Sequence, residues 1–204
     1  MTTKVAFEPY LNKAMSYTAY MALMQDLLSE NKTTGPNQAK ELVEYTRLNF
    51  HRMERLNKTI VLSDALTATL QSLKKRWTWL VITEAWCGDA AQNIPLMHAI
   101  SIASKGKIDI KLVLRDENPE LMEQFLTNGA RAIPLLICLD TDTLQVTGKW
   151  GPRPAHAQEM VMAYKQQPDQ PLEGFKTMLH TWYAKDKTLS QQHELVALIP
   201  KWGK

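Results

Sequence analysis

Trp86-Cys87-Gly88-Asp89-Ala90 follows closely on Trp77-Thr78-Trp79-Leu80-Val81-Ile82-Thr83. The earlier run is β-branched and aromatic and predicts a buried strand. Residues 89–104 then read as a helix with Pro95 inside it. Cys87 is therefore expected at a strand-to-helix junction, where free backbone N–H groups and the helix macrodipole favour an anion. A thiol in such a place tends towards a lowered pKa and a larger share of thiolate, the nucleophilic form. Gly88 adds no side chain to shield the sulfur, and Trp86 is expected to wall it on one side. Asp89 suits the helix start, but its charge opposes the thiolate. Dithiol redox chemistry needs Cys-x-x-Cys, and this stretch offers Cys-x-x-Ala. The attacking thiol is present, and the resolving thiol that would stand at Ala90 is not.

Outward from this stretch the hydrophobic periodicity changes twice. Before it, residues 11–28 carry Leu11, Met15, Ala19, Leu23 and Leu27 at helical spacing. Thr33, Thr34, Gly35 and Pro36 break the pattern. A second helix is predicted through Leu42, Tyr45, Leu48, Met53 and Leu56. A third, capped by Ser63 or Asp64, carries Leu66, Leu70 and Leu73. After it, residues 108–114 predict a strand, 119–126 a helix opened by Pro119, and 133–139 and 144–149 two strands. Asp140-Thr141-Asp142 supplies the turn of that hairpin. Residues 154–166 predict a helix. Beyond Pro168 and Pro171 comes another, with Leu172, Phe175, Leu179 and Trp182, and a short one is predicted after Thr188 or Ser190. The fold class is α/β, a central mixed sheet flanked by helices. The partition is a helical extension over 1–61, a core domain over 62–166 and a second helical extension over 167–204.

A second feature lies in Arg131-Ala132-Ile133-Pro134. Proline lacks the N–H that a ladder needs, so it sits oddly at the entrance of a buried strand. A cis Ile133-Pro134 bond accounts for it and offers the Ile133 backbone to an extended partner.

Trp86-Cys87-Gly88, Pro95, Asp116-x-Asn118-Pro119, Gly129-Ala130-Arg131-Ala132-Ile133-Pro134 and Gly151 occur in thioredoxin order with nearly thioredoxin spacing. Residues 62–166 thus resemble the thioredoxin-like superfamily. More narrowly, the chain is similar to bacterial members with a Trp-Cys-Gly-Asp-Ala site and a helical N-terminal extension. The resemblance implies a nucleophilic Cys87 and a cis-Pro134 shaping a substrate groove with Trp86, Gly88, Asp89, Ala90 and Ile133. Two departures affect release of a mixed disulfide. Ala90 replaces the resolving cysteine, and Val81 replaces a buried acid that assists proton transfer. An adduct on Cys87 then needs an external thiol. Cys138 is a poor substitute. It lies roughly 13 Å along the strand from Pro134, whereas a disulfide needs Cα atoms within about 7 Å. It reads as a small buried apolar residue.

Arg131 is a candidate to lower the thiol pKa or hold an anionic group, with pairing to a surface acid the simpler role. Glu84 reads equally as a solvated strand-end charge and as a proton shuttle. His51, His98, His156, His180 and His193 show no metal-ligand spacing, and no glycine-rich phosphate loop is present. No metal or cofactor is expected. The 204 residues are 45% hydrophobic, enough for a sizeable core. The net charge of +3, without a basic run, argues against nucleic acid. No apolar run is long enough to span a bilayer. Without a secretory h-region at the N-terminus, and with two cysteines, a cytoplasmic setting is the expectation. The leading functional expectation is monothiol exchange through Cys87 with protein or small-molecule thiols and disulfides. A redox-inactive partner-binding module competes with it, followed by a thiol peroxidase or small-thiol transferase. The oligomeric state is not legible.

Overall fold

Every residue of strand β1 (Trp77–Thr83) is buried, which fits its continuous apolar run. The structure, a computed structural model, describes residues 5–167 and 171–203. Pro168, named above as preceding the next helix, lies outside the described residues, as do residues 1–4. Before β1 come helices α1 (Glu8–Leu11), α2 (Tyr17–Ser29), α3 (Lys40–Thr59) and α4 (Asp64–Gln71). After it come α5 (Gly88–Ala103), β2 (Ile108–Leu114), α6 (Pro119–Glu123), β3 (Leu135–Asp140) and β4 (Val146–Trp150). Helices α7 (Ala155–Lys165), α8 (Leu172–Asp186) and α9 (Leu189–Trp202) follow.

The sheet order is β2-β1-β3-β4. β1 runs parallel to β2, in register from Trp77 opposite Ile108 to Thr83 opposite Leu114. A parallel pair needs a crossover, and α5 supplies it. β3 and β4 are added antiparallel. Because side chains alternate along a strand, Trp77 and Trp79 share one face. There both meet the edge of Trp202 from α9, at centroid distances of 6.4 and 6.1 Å. Helix α9 also buries Leu195 and Ile199 completely. These three residues, at helical spacing, make α9 part of the main core.

Several boundaries differ from the sequence reading for identifiable reasons. The helix expected over 11–28 is divided. Ser16 caps α2 by accepting from the Ala19 amide, and Met15 leaves the helix to form an antiparallel bridge with Leu112. That bridge covers part of the β2 edge, which would otherwise present unpaired backbone groups. β3 begins at Leu135 because Pro134 has no N–H to donate to the ladder. β4 begins at Val146 because Leu144 is left-handed, with φ 54°, in the turn. The last helix is 14 residues long, not short.

Helix α5 carries the site on its first turn. All residues from Ala90 to Met97 are buried, the signature of a helix enclosed on every side. Helix α3 packs along it. Its buried Asn49 donates through Nδ2 to the Ala85 carbonyl at 2.9 Å, tying α3 to the loop between β1 and α5.

Candidate functional site

Cys87 is the N-cap of α5, in extended conformation with φ −79° and ψ 114°. The strand ends at Thr83 and the helix begins at Gly88, so the thiol sits in the short connection between them. The Ile133-Pro134 bond is cis. Its Ile133 carbonyl accepts a hydrogen bond from Cys87 Sγ at 3.4 Å. Cys87, Ile133 and Pro134 are thus gathered at one point. Cys138 is buried in β3 opposite Trp79 and Gly148, and both cysteines are free. Val81 is fully buried between Leu112 and Leu136.

Burial decides the balance that the sequence leaves open at the thiol. Cys87 is only 8% exposed. Burial pushes the thiol up to about 12, and the Asp89 carboxylate adds to the rise. The Ala90 and Asp89 amides and the Arg153 guanidinium pull the other way and do not offset it. Helix-terminus N–H groups favour a thiolate, but desolvation of the charged form outweighs them here. As folded, the thiol is protonated.

Part of the cover comes from α8. A Cβ placed on Gly88 would meet His180 Cε1 at 3.2 Å and Arg52 Nη1 at 3.9 Å. Tyr183 OH donates to Asp89 Oδ1 at 2.7 Å and accepts from Asn93 Nδ2 at 3.2 Å. Arg153 Nη2 donates to Asp89 Oδ2 at 2.5 Å, and both side chains are largely buried. Each oxygen of Asp89 is therefore committed, and the carboxylate fastens α8 and the β4–α7 loop to the first turn of α5. A cleft of about 590 Å³ lies against another part of α5, lined by Tyr17, Phe50, Pro95, His98 and Ile102.

The remaining sequence candidates have distinct surroundings. Glu84 is fully buried rather than a solvated charge, and its Oε1 accepts from the Asp116 amide at 2.8 Å. Burial raises its carboxyl above the usual range. Arg131 is paired with Glu123 on the surface, Nε to Oε1 at 2.5 Å. Trp86 lies under the Arg115 guanidinium, 4.8 Å from the ring centroid. Ala90 is buried beside Cys87. Among the described residues, no group of three or more His, Cys, Asp or Glu side chains is placed to hold a metal ion. Arg52, Asn93, Arg153 and Tyr183 went unread as site residues, and His180 was read only as one of five scattered histidines. Only Asn93, four residues after Asp89 on the same helix face, carried a local signal.

Two histidines give the fold a pH dependence. Burial holds His98 below its ordinary value. Burial also holds His180 down, joined by Arg52 and Lys176 and opposed by Asp89. An imidazole with a lowered pKa in the fold binds fewer protons there than in the unfolded chain. Its contribution to stability is present above about pH 6.5 and lost as pH falls. Through these two groups Tm is expected to fall from neutrality towards pH 5, against the opposite contribution of buried Glu84, whose raised carboxyl favours the fold at lower pH. His98→Gln and His180→Gln should each flatten that slope, and an unchanged slope in both would exclude these groups.

A β2-β1-β3-β4 sheet with a cysteine capping the helix after β1 and a proline leading into β3 defines a thioredoxin-like protein. The family model described as thioredoxin matches residues 35–166, and the chain belongs to that family. A crystal structure of a protein of unknown function, PA1234, from Pseudomonas aeruginosa is similar, with TM-score 0.61 and 18% identity over 97% of this chain and 98% of that one. The crystal structure of an HIV epitope-scaffold is also similar, with TM-score 0.55 and 20% identity over 91% of this chain and 98% of that one. These two likenesses concern the fold alone. No curated protein matches the chain. No helix among the described residues is long and apolar enough to cross a membrane.

Proposed function

We propose that the protein performs thiol–disulfide exchange through Cys87 alone, with an external thiol completing the cycle. The observation that carries this reading is the placement of Sγ at the start of α5, 3.4 Å from the Ile133 carbonyl and beside cis-Pro134. Cys87 first loses its proton to solvent. The thiolate attacks one sulfur of a disulfide RS–SR; the Cys87–S–SR bond forms, the RS–SR bond breaks, and RS⁻ leaves and takes up a proton. An external thiolate R′S⁻ then attacks the substrate sulfur of the adduct, forming R′S–SR and returning the Cys87 thiolate. The net change is exchange of R′S for RS, with no electrons gained or lost overall. Ala90 leaves the second step to the external thiol, and two free cysteines suit a reducing, cytoplasmic setting. With the thiol protonated and covered, the reaction proceeds from the fraction of molecules in which the cover has moved.

The test is intact-protein mass spectrometry after incubation with a small disulfide. A single adduct on Cys87 is expected, stable until an external thiol is added and missing in Cys87→Ser. No adduct after long incubation would overturn the proposal in favour of a redox-inactive binding module. The raised thiol pKa favours that second reading.

A further inference from the structure

Arg52 is a half-buried cation beside the thiol loop, and among the described residues no counter-ion offsets it. Its Nη1 donates to Asn49 Oδ1 at 3.1 Å, and Asn49 is itself locked to the Ala85 carbonyl. The guanidinium is therefore oriented by the backbone that leads into Cys87. Among the described residues no carboxylate lies within ion-pair distance of it. Burial and the neighbouring Arg55 both act against its charge. The two other arginines around the site differ, since Arg115 is paired with Asp116 and Arg153 with Asp89. Asp89, the acid in the motif, is engaged by Tyr183 and Arg153 rather than by Arg52. A guanidinium that is oriented and half-withdrawn from water, with no carboxylate beside it, is open to an anion from outside. Its position identifies which one. Nη1 lies 3.9 Å from the place a Gly88 Cβ would take, with His180 Nε2 3.7 Å from the same point. The positive end of α5 adds the same sign of potential.

We infer that Arg52 is a specificity-determining residue that binds the carboxylate of a small disulfide while Cys87 attacks its sulfur. The inference rests on the exchange reading above and narrows the substrate to disulfides with a carboxylate near the sulfur. Arg52 holds the anion by charge-assisted hydrogen bonds in the molecules in which His180 has moved from over Gly88.

Two measurements on the full chain test this. In the first, Cys87 is labelled with anionic dithiobis(nitrobenzoate) and with neutral dithiodipyridine, Cys87→Ser serving as the blank. Arg52→Gln is expected to lower the anionic-to-neutral rate ratio by about tenfold, and Arg52→Lys to restore most of it. An unchanged ratio, including one in which both rates fall alike, would overturn the inference. The second measurement needs no thiol chemistry. S-methylglutathione, titrated into Cys87→Ser, is expected to shift the Gly88 amide and His180 ring resonances, and Arg52→Gln to abolish the shifts. No shifts, or shifts that survive in Arg52→Gln, would overturn it. If Cys87 reacts with neither disulfide, the exchange reading fails, and this titration still decides whether Arg52 holds a carboxylate.

Discussion

Gly148→Ala is expected to destabilise the protein by about 3–5 kcal/mol, as much as truncating a buried tryptophan. A Cβ at Gly148 in β4 would lie 2.0 Å from Trp202 Nε1, 2.2 Å from Cδ1 and 2.4 Å from Cε2. These atoms belong to a rigid bicycle, so no flexible end can swing aside. The indole is also confined by Trp77 and Trp79. It must leave its place, and the seam between α9 and the sheet opens with it. For a chain of this size each kcal/mol lowers Tm by about 2–4 °C, so a fall of about 6–20 °C is expected in thermal unfolding. A double-mutant cycle separates the cause. In a Trp202→Ala background the same substitution should cost less than about 1 kcal/mol, because the clash has gone. An equal cost in both backgrounds would place the strain in the β4 backbone instead.

The elements visible in the sequence were those whose environment is nearly uniform. β1 is buried throughout and β2 keeps apolar residues at Ile108, Ile110 and Leu112 to Leu114 around Asp109 and Lys111, so their runs identify them without knowledge of their neighbours. The junction at Cys87 was legible because a strand, a thiol and a helix start are adjacent in the chain. The boundary of α2 was missed because periodicity continued through Ser16, whose hydroxyl caps the helix. The extent of α9 was missed although Leu195, Ile199 and Trp202 carry helical spacing, because polar residues dilute its core-facing stripe. The site shows the same limit more sharply. Asp89 meets Arg153 at a separation of 64 residues and Tyr183 at 94. No short pattern encodes such pairs. The balance at the thiol stayed open in the sequence for the same reason: the favourable amides and the opposing Asp89 are local, whereas the desolvation that decides the direction is tertiary.

Cys87 is expected to react with iodoacetamide at neutral pH about three orders of magnitude more slowly than an unperturbed cysteine. The thiol is pushed up to about 12, against about 8.5 for a free one, and each unit removes tenfold of the thiolate. The rate should rise tenfold per pH unit up to about pH 10 without levelling, since ionisation is incomplete throughout. Buried Cys138 is also raised to about 12, so it does not mask the signal. The cover should be removable. Tyr183 packs with Ala157, Val161 and Leu179 in a small cluster separate from the main core. Its hydroxyl bridges Asp89 and Asn93. α8 then joins α9 through two left-handed residues, Lys187 at φ 51° and Thr188 at φ 68°. Left-handed backbone is costly for a β-branched residue such as Thr188, which makes this junction the strained end of the helix. Tyr183→Ala removes both the ring and the bridge, and is expected to accelerate alkylation by about 10–100-fold as water reaches the sulfur. Tyr183→Phe keeps the ring and should give a smaller gain. If Tyr183→Ala reacts no faster than wild type, the desolvation of Cys87 arises from the sheet and α5 themselves. In that case α8 has no part in keeping the thiol protonated.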